Sequence, residues 1–381
     1  MNVRDLLIAL VRYAIKGGAL DKGAIEHSLN SKAATLFKVA KSHDVAHLVC
    51  YALEKNAVSV DSEVWQQFLA EKEQACLRYQ MIQADFDEIC ACLSACSVDY
   101  MPLKGAVIRE LYPEPWMRTS CDIDVLVHEK DVDRAVDALV KERAYKTDYK
   151  KTYHDVSLYS PFGMHLELHH NIKENEPKYD EILTQVWEFS NPQQGCQYAQ
   201  TMEFLIFHLT AHAAYHFVHG GCGLRSVLDL YVLGVCGYDK DKLAKLLEKA
   251  GLFRFYSEII ALGEYWFGGR ETVGQTVLDA EKYILLGGAY GTAKQGTTAG
   301  QAKKGGKFKY FWSRIFMPYE SLAVLYPVIK NHKILTPFCQ VRRWFGALFK
   351  GKRIAKEIKN VTAADREQVE KTKKLLNDLG L

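Results

Sequence analysis

An α+β fold is expected, with a small mixed sheet set between helical N- and C-terminal regions. Apolar residues recur at helical spacing through residues 1–97 and again from 196 to 381. Nearly all alternating, branched runs fall between 98 and 195. At the start, Leu6, Leu7, Leu10 and Val11 set the helical pattern. The central region opens on the apolar stretch Met101-Pro-Leu-Lys104-Gly105, and a helix-like segment runs on to Tyr112. Cys121 to Val127 alternates and reads as a strand. Glu129 to Val140 reads as an amphipathic helix with acidic residues in its first turn. Tyr153–Tyr159 and His165–His169 alternate on either side of the turn signal Ser160-Pro161-Phe162-Gly163, which predicts a hairpin. In the C-terminal region, 287–306 is rich in Gly, Thr, Lys and Gln and reads as a flexible loop. The tail 330–359 is strongly basic, with Phe338, Trp344, Phe345, Leu348 and Phe349 interleaved.

Composition narrows the function classes. With 381 residues the chain can form two or three packed units, and its composition is that of a globular protein. A net charge of +3 does not by itself point to nucleic acid. No apolar run approaches the roughly 20 residues of a membrane helix, and the N-terminus lacks the apolar core of a signal peptide. A cytoplasmic protein is expected. The ten cysteines are scattered without a Cys-x-x-Cys pair, as for reduced thiols rather than a zinc site or disulfide framework.

Asp122 and Asp124 lie two apart on a strand and so share a face. Two carboxylates side by side repel unless a cation lies between them. Hard divalent ions such as Mg²⁺ take such ligands and leave room for phosphates. Glu167 shares a face with His165 and His169. If that face adjoins the Asp pair, three carboxylates on adjacent strands suit two metal ions and in-line phosphoryl or nucleotidyl displacement. Each of these acids could instead sit on a solvated strand face. The Lys104-Gly105 step lets backbone approach a ligand, and Lys104 and Arg118 could add charge against phosphate oxygens or remain surface charges.

Other residues stay open between two readings. His208, His212 and His216 recur every four residues and stack on one helix face. His212-Ala-Ala-Tyr-His216 lacks the Glu of a zinc protease, so packed or hydrogen-bonded histidines lining a cleft are expected, with a zinc site as the alternative. Arg225 and Asp229 could form an intrahelical pair, or Arg225 could reach a nucleotide. The loop 287–306 lacks the Gly-Lys-Ser/Thr of a P-loop. The basic tail could meet an anionic membrane surface or nucleic acid, and a helix docked on the protein is the preferred reading.

In order, Leu103-Lys104-Gly105, Arg118-x-x-x-Asp122-Ile-Asp124-Val-Leu-Val127, Glu167-Leu-His169, His212-x-x-x-His216 and Gly223-x-Arg225-x-x-x-Asp229 resemble one family. It is the bacterial uncharacterised nucleotidyltransferase family, within the DNA polymerase β-type nucleotidyltransferase superfamily. The resemblance covers most of the chain. It departs from the wider superfamily in having Lys-Gly where Gly-Ser is usual. It implies a nucleotidyltransferase-type sheet and transfer of a nucleotidyl group from an NTP, such as ATP, with release of pyrophosphate. Asp122, Asp124 and Glu167 would hold two Mg²⁺, with Mn²⁺ as a substitute. Lys104, Gly105, Arg118 and Arg225 would bind nucleotide. The acceptor is expected to be a small molecule, sugar or peptide bearing a hydroxyl. A nucleotide-binding module without turnover is the alternative, as is a membrane- or nucleic-acid-associated protein acting through its basic tail.

Overall fold

The computed structural model describes residues 1–148, 152–289, 291–348 and 365–381. The chain opens on four helices, α1 (Val3–Lys16), α2 (Lys22–Ser42), α3 (Ala46–Lys55) and α4 (Ser62–Ala95). Side-chain caps start three of them. Asn2, Asp21 and Asp61 accept backbone N–H groups that the first turn leaves unpaired. Leu6, Leu7, Leu10 and Val11 are all buried, as their spacing predicts.

The central sheet holds β1 (Tyr100–Pro102), β2 (Asp122–Val127), β3 (Asp155–Tyr159) and β4 (His165–His169), in the order β1-β2-β4-β3. β2 runs parallel to β4, and the other two pairings are antiparallel, so the sheet is mixed. The predicted hairpin is β3–β4. The parallel register sets Asp122 opposite His165 and Asp124 opposite Glu167. Period-two alternation then sorts the sheet into two faces. Ile123, Val125, Val127, Val156, Leu158, Leu166 and Leu168 form one core with Ile82, Ile89 and Leu93 of α4 and with Val132, Val136 and Leu139 of α6 (Val132–Arg143). The opposite face carries the acids and histidines. α5 (Gly105–Ile108) is a single turn after β1.

After the sheet come α7 (Pro177–Leu183) and a small ribbon, β5 (Ser190–Pro192) with β6 (Tyr198–Gln200), which lies beside β1. Helices follow: α8 (Met202–His219), α9 (Leu224–Gly234), α10 (Lys240–Ala250), α11 (Phe253–Gly263), α12 (Gln275–Leu285), α13 (Ala293–Lys304), α14 (Lys307–Ile315), α15 (Tyr319–Leu325), α16 (Val328–Asn331) and α17 (Thr336–Leu348). A last helix spans Arg366–Leu379. α8 buries residues around most of its circumference within the main core and packs against α9, α10, α11 and α13.

One expectation is corrected. Residues 287–306 are not a flexible loop along their length, because 293–304 form α13. Thr292 and Gln295 make a reciprocal capping box at its start. Thr297 and Thr298 turn their hydroxyls back onto Ala293 and Lys294 carbonyls. Gly296 lets the helix press on α8, since a Cβ there would lie 2.5 Å from the His219 carbonyl oxygen. Burial of Ala299 and Ala302 against the neighbouring helices outweighs the weak helix preference of the segment. Of the basic tail, the part up to Leu348 contains α17, while Phe349 and 350–359 lie outside the described residues. Among the described residues no helix is long and apolar enough to cross a membrane.

Candidate active site

β2 and β4 deliver the acids to one cavity of about 420 Å³, a size usual for small-ligand sites. Oxygen and nitrogen atoms of Asp122, His165 and Glu167 come within 4.8 Å of one another, as do those of Asp124, Glu167 and His169. Asp124 is the most enclosed of the acids, at 7 % exposure. Its Oδ1 accepts from Lys104 Nζ at 3.3 Å and meets His169 Nε2 at 2.8 Å. Burial works against its charge, but Lys104 and His169 outweigh burial and hold its carboxyl far below the usual range. At Asp122 the help from Lys104 and His165 is outweighed. Burial, then the charges of Asp124 and Glu167, push its carboxyl above the usual range. Burial likewise opposes the charge on Lys104, and Asp124, Glu174, Glu167 and Asp122 together hold it protonated.

The residues present fit a divalent cation. Three carboxylates converge with histidine nitrogens, and the buried His165 Nε2 and His169 Nδ1 have no hydrogen-bond partner among the described residues. An oxygen-rich set with room for histidine suits Mg²⁺ or Mn²⁺.

Lys104 has φ 42, a left-handed conformation uncommon outside glycine, and it caps the one-turn α5. Gly105 sits against the turn before β2. A Cβ there would come within 3.3 Å of Ser120 Cβ and 3.4 Å of Arg118 Nη1. The buried Arg109 ties the two segments together, donating to the Gly105 carbonyl and to Ser120 Oγ, each at 2.8 Å.

Arg118 lines the cavity with most of its donors engaged. Its Nη2 and Nε reach Asp229 at 2.8 and 3.1 Å, and Nη1 donates to the Thr119 carbonyl at 2.7 Å. Tyr112 also donates to Asp229, at 2.7 Å. Arg225 donates to Asp44 at 2.6 Å and to the Thr119 carbonyl at 3.3 Å, and Asp44 in turn accepts from Thr119 Oγ1. Arg118, through Asp229, and Arg225, through the Thr119 carbonyl and Asp44, thus tie the turn that leads into β2 to α9 and to the junction of α2 and α3.

The facing wall is α8. His208, His212, Tyr215 and His216 line the same cavity. His212 Nδ1 lies 2.7 Å from Glu174 Oε1. Burial opposes the Glu174 charge, but His212 and Lys104 bring its carboxyl down to about 2. Burial, then the charge of Lys104, lowers His208 to about 3. Burial, then His212, lowers His216 to about 4. His208 Nδ1 meets Gln200 Nε2 at 3.2 Å, while the buried Nε2 has no partner among the described residues. The expected stack of cleft histidines is present. Glu174, Arg109 and Asp44 were missed. Glu174 carried a weak signal, an acid in a polar run just after the β4 histidines, but nothing in its spacing separates it from a surface charge.

The family model described as uncharacterised nucleotidyltransferase matches residues 30–268, a span that contains both walls of the cavity. No curated protein and no solved structure matches the chain.

Proposed function

This chain belongs to the uncharacterised nucleotidyltransferase family, and on that footing we propose that it transfers a nucleoside monophosphate from an NTP to a hydroxyl-bearing acceptor. A general nucleotidyl-transfer role with an NTP as substrate comes with membership. Mg²⁺ dependence and the residue roles are our reading. One observation carries it: the parallel β2–β4 register sets Asp124 against Glu167 beside Asp122, facing the cavity that α8 closes.

Asp122, Asp124 and Glu167 would hold two divalent cations, Mg²⁺ or Mn²⁺. Such ions neutralise phosphate charge and sharpen the acceptor hydroxyl as a nucleophile. Lys104 compensates Asp124 in the free protein and is free to turn to a phosphate when a cation takes over that carboxylate. Gly105 keeps side-chain bulk out of the same corner. Arg118 and Arg225 hold the turn before β2 rigid and line the nucleotide side. Glu174 fixes the His212 tautomer and orientation, which leaves Nε2 to take the acceptor proton. As the proton moves to His212, the acceptor oxygen bonds to the α-phosphorus. The bond from that phosphorus to the bridging oxygen breaks, and pyrophosphate leaves with the electron pair. The acceptor is a small molecule, sugar or peptide.

Purified protein with each α-labelled NTP, ATP first, Mg²⁺ and host extract should give a labelled acceptor and free pyrophosphate. Label transfer equal to that of the Asp122→Asn/Asp124→Asn variant would end this reading. A second reading, nucleotide binding without turnover, is favoured by the fact that Lys104 and His169 already satisfy Asp124. NTP binding with no pyrophosphate release under any acceptor mixture would select it.

A further inference from the structure

Residues 307–348 contrast with the rest of the chain. Among the described residues they bury a small core of their own, built from Leu322, Ala323, Ile329 and Cys339. Their helices turn apolar stripes outward. α14 presents Phe308, Phe311 and Trp312, and Phe308 is 73 % exposed. Tyr310 points the other way, against Gly300 of α13. α17 presents Phe338, Val341 and Phe345 at helical spacing, while Cys339 and Gln340 are buried. Ile334, just before α17, is 83 % exposed. Phe308, Trp312, Phe316 and Trp344 make successive ring contacts, with centroids 5.2 to 5.8 Å apart. Among the described residues, ten of the twenty exposed large apolar side chains fall in this stretch. Scattered apolar residues on a surface need no explanation, but a concentration of this kind marks an interaction face.

Charge says what covers it. The stretch holds seven Lys and Arg against one acid, Glu320, while the whole chain is only +3 and the remainder is therefore net negative. Lys309, Lys333 and Arg342 are exposed among the apolar groups. We propose that the face formed by α14 to α17 docks on an anionic lipid surface. Trp and Tyr at the boundary, aliphatic groups in the acyl edge and cations at the headgroups form the pattern of an interfacial helix. Pairing of this face with the same face of a second copy fits poorly, since basic would meet basic. Nucleic acid would use the cations and rings but leaves Ile334, Val328 and Val341 without a role, because aliphatic groups neither stack on bases nor neutralise phosphate.

The test uses the full-length protein and vesicles of phosphatidylcholine with or without phosphatidylglycerol. Co-sedimentation should be strong with the anionic vesicles, weak with the neutral ones and reduced by salt. Phe308→Ser/Trp312→Ser/Phe338→Ser should lower the bound fraction at least about tenfold. So should Lys309→Glu/Arg342→Glu, which leaves the apolar stripes intact. Both variants should keep the wild-type melting temperature and NTP affinity, so the outcome is independent of the proposed transfer reaction. No binding to anionic vesicles overturns the proposal. So does binding that neither variant reduces. Binding to an oligonucleotide that displaces vesicles points to nucleic acid instead, and dimerisation abolished by the serine variant without vesicle binding points to a second copy. Either result overturns the lipid assignment.

Discussion

The two walls of the cavity handle charge in opposite ways. The strand wall crowds Asp122, Asp124 and Glu167 together and uses Lys104 and His169 to hold Asp124 ionised. The helix wall stacks His208, His212 and His216 one turn apart, with His208 and His216 kept neutral by burial and neighbouring charge. Period two places like charges side by side, where they create a demand for cations. Period 3.6 stacks bases along a buried helix, where losing the proton is the cheaper state. One wall is thereby suited to holding a metal and phosphates. On the other, burial disfavours a proton on His208 and His216, and the proposed reaction uses His212, which lies 2.7 Å from Glu174.

The sharpest way to break this contrast is to treat the strand acids separately. Asp124→Asn takes from Lys104 and His169 the carboxylate that contacts both, leaving only the more distant acids, and breaking a buried pair from one side costs up to about 3–5 kcal/mol. Asp122→Asn removes a repelled carboxylate and should hold or raise stability without metal. Urea unfolding in chelator distinguishes the two, and equal shifts would mean that Lys104 does not discriminate between them. Mg²⁺ with NTP should stabilise wild type more than either variant.

Next in size are the catalytic effects. Glu167→Gln should lower kcat by at least about a hundredfold, because charge neutralisation at phosphorus contributes several kcal/mol. Glu174→Gln should lower kcat by about tenfold to a hundredfold and leave the KM for NTP unchanged, as expected for a group that aligns a base. A raised KM for NTP in Glu174→Gln would move the nucleotide to the helix wall.

Arg118→Lys keeps the charge but loses the fork on Asp229, and a loss of about 1–3 kcal/mol is expected in thermal unfolding. Arg118→Lys with unchanged stability would show that the clamp on the turn before β2 is dispensable.

The smallest effect is on the pH dependence of stability. His208 and His216 have folded pKa values lowered to about 3 and about 4. The unfolded chain therefore binds protons below about 6.5 that the folded wall excludes. Their contribution is complete above that value and declines as pH falls from about 6.5, towards about 4 for His216 and about 3 for His208. Melting temperatures across this range should drop less in His216→Asn than in wild type, and an identical slope would remove His216 from the account.

Much of this was legible in the sequence because β2 and β4 each bury one apolar face. Ile123, Val125, Leu166 and Leu168 fix which way the strands turn, and so fix where Asp122, Asp124 and Glu167 point. Their pairing was not legible, since alternation sets faces and leaves register open. The partners of Arg118 and Arg225 were hidden for a related reason. Asp229 and Asp44 lie over a hundred residues away, and any acid in the chain could have met them. The reading of 287–306 failed because glycine and threonine weaken a helix in isolation, whereas here the same small side chains let α13 lie close against α8. The turns Lys104-Gly105 and Ser160–Gly163 were legible through their residue types. The ribbon β5–β6 was not, because its short strands carry no clear alternation.

The parallel register of β2 and β4 also bears on how the protein folds. β3 and β4 are near neighbours in sequence, whereas Asp124 and Glu167 are about forty residues apart with α6 and β3 between them, so theirs is the costlier loop to close. A partly folded chain would hold Glu167 on its hairpin without the Asp pair beside it. Metal and nucleotide would then recognise the finished protein and none of its precursors. Such ligands should slow unfolding and leave the folding rate unchanged, so an early encounter with substrate cannot trap an incomplete chain.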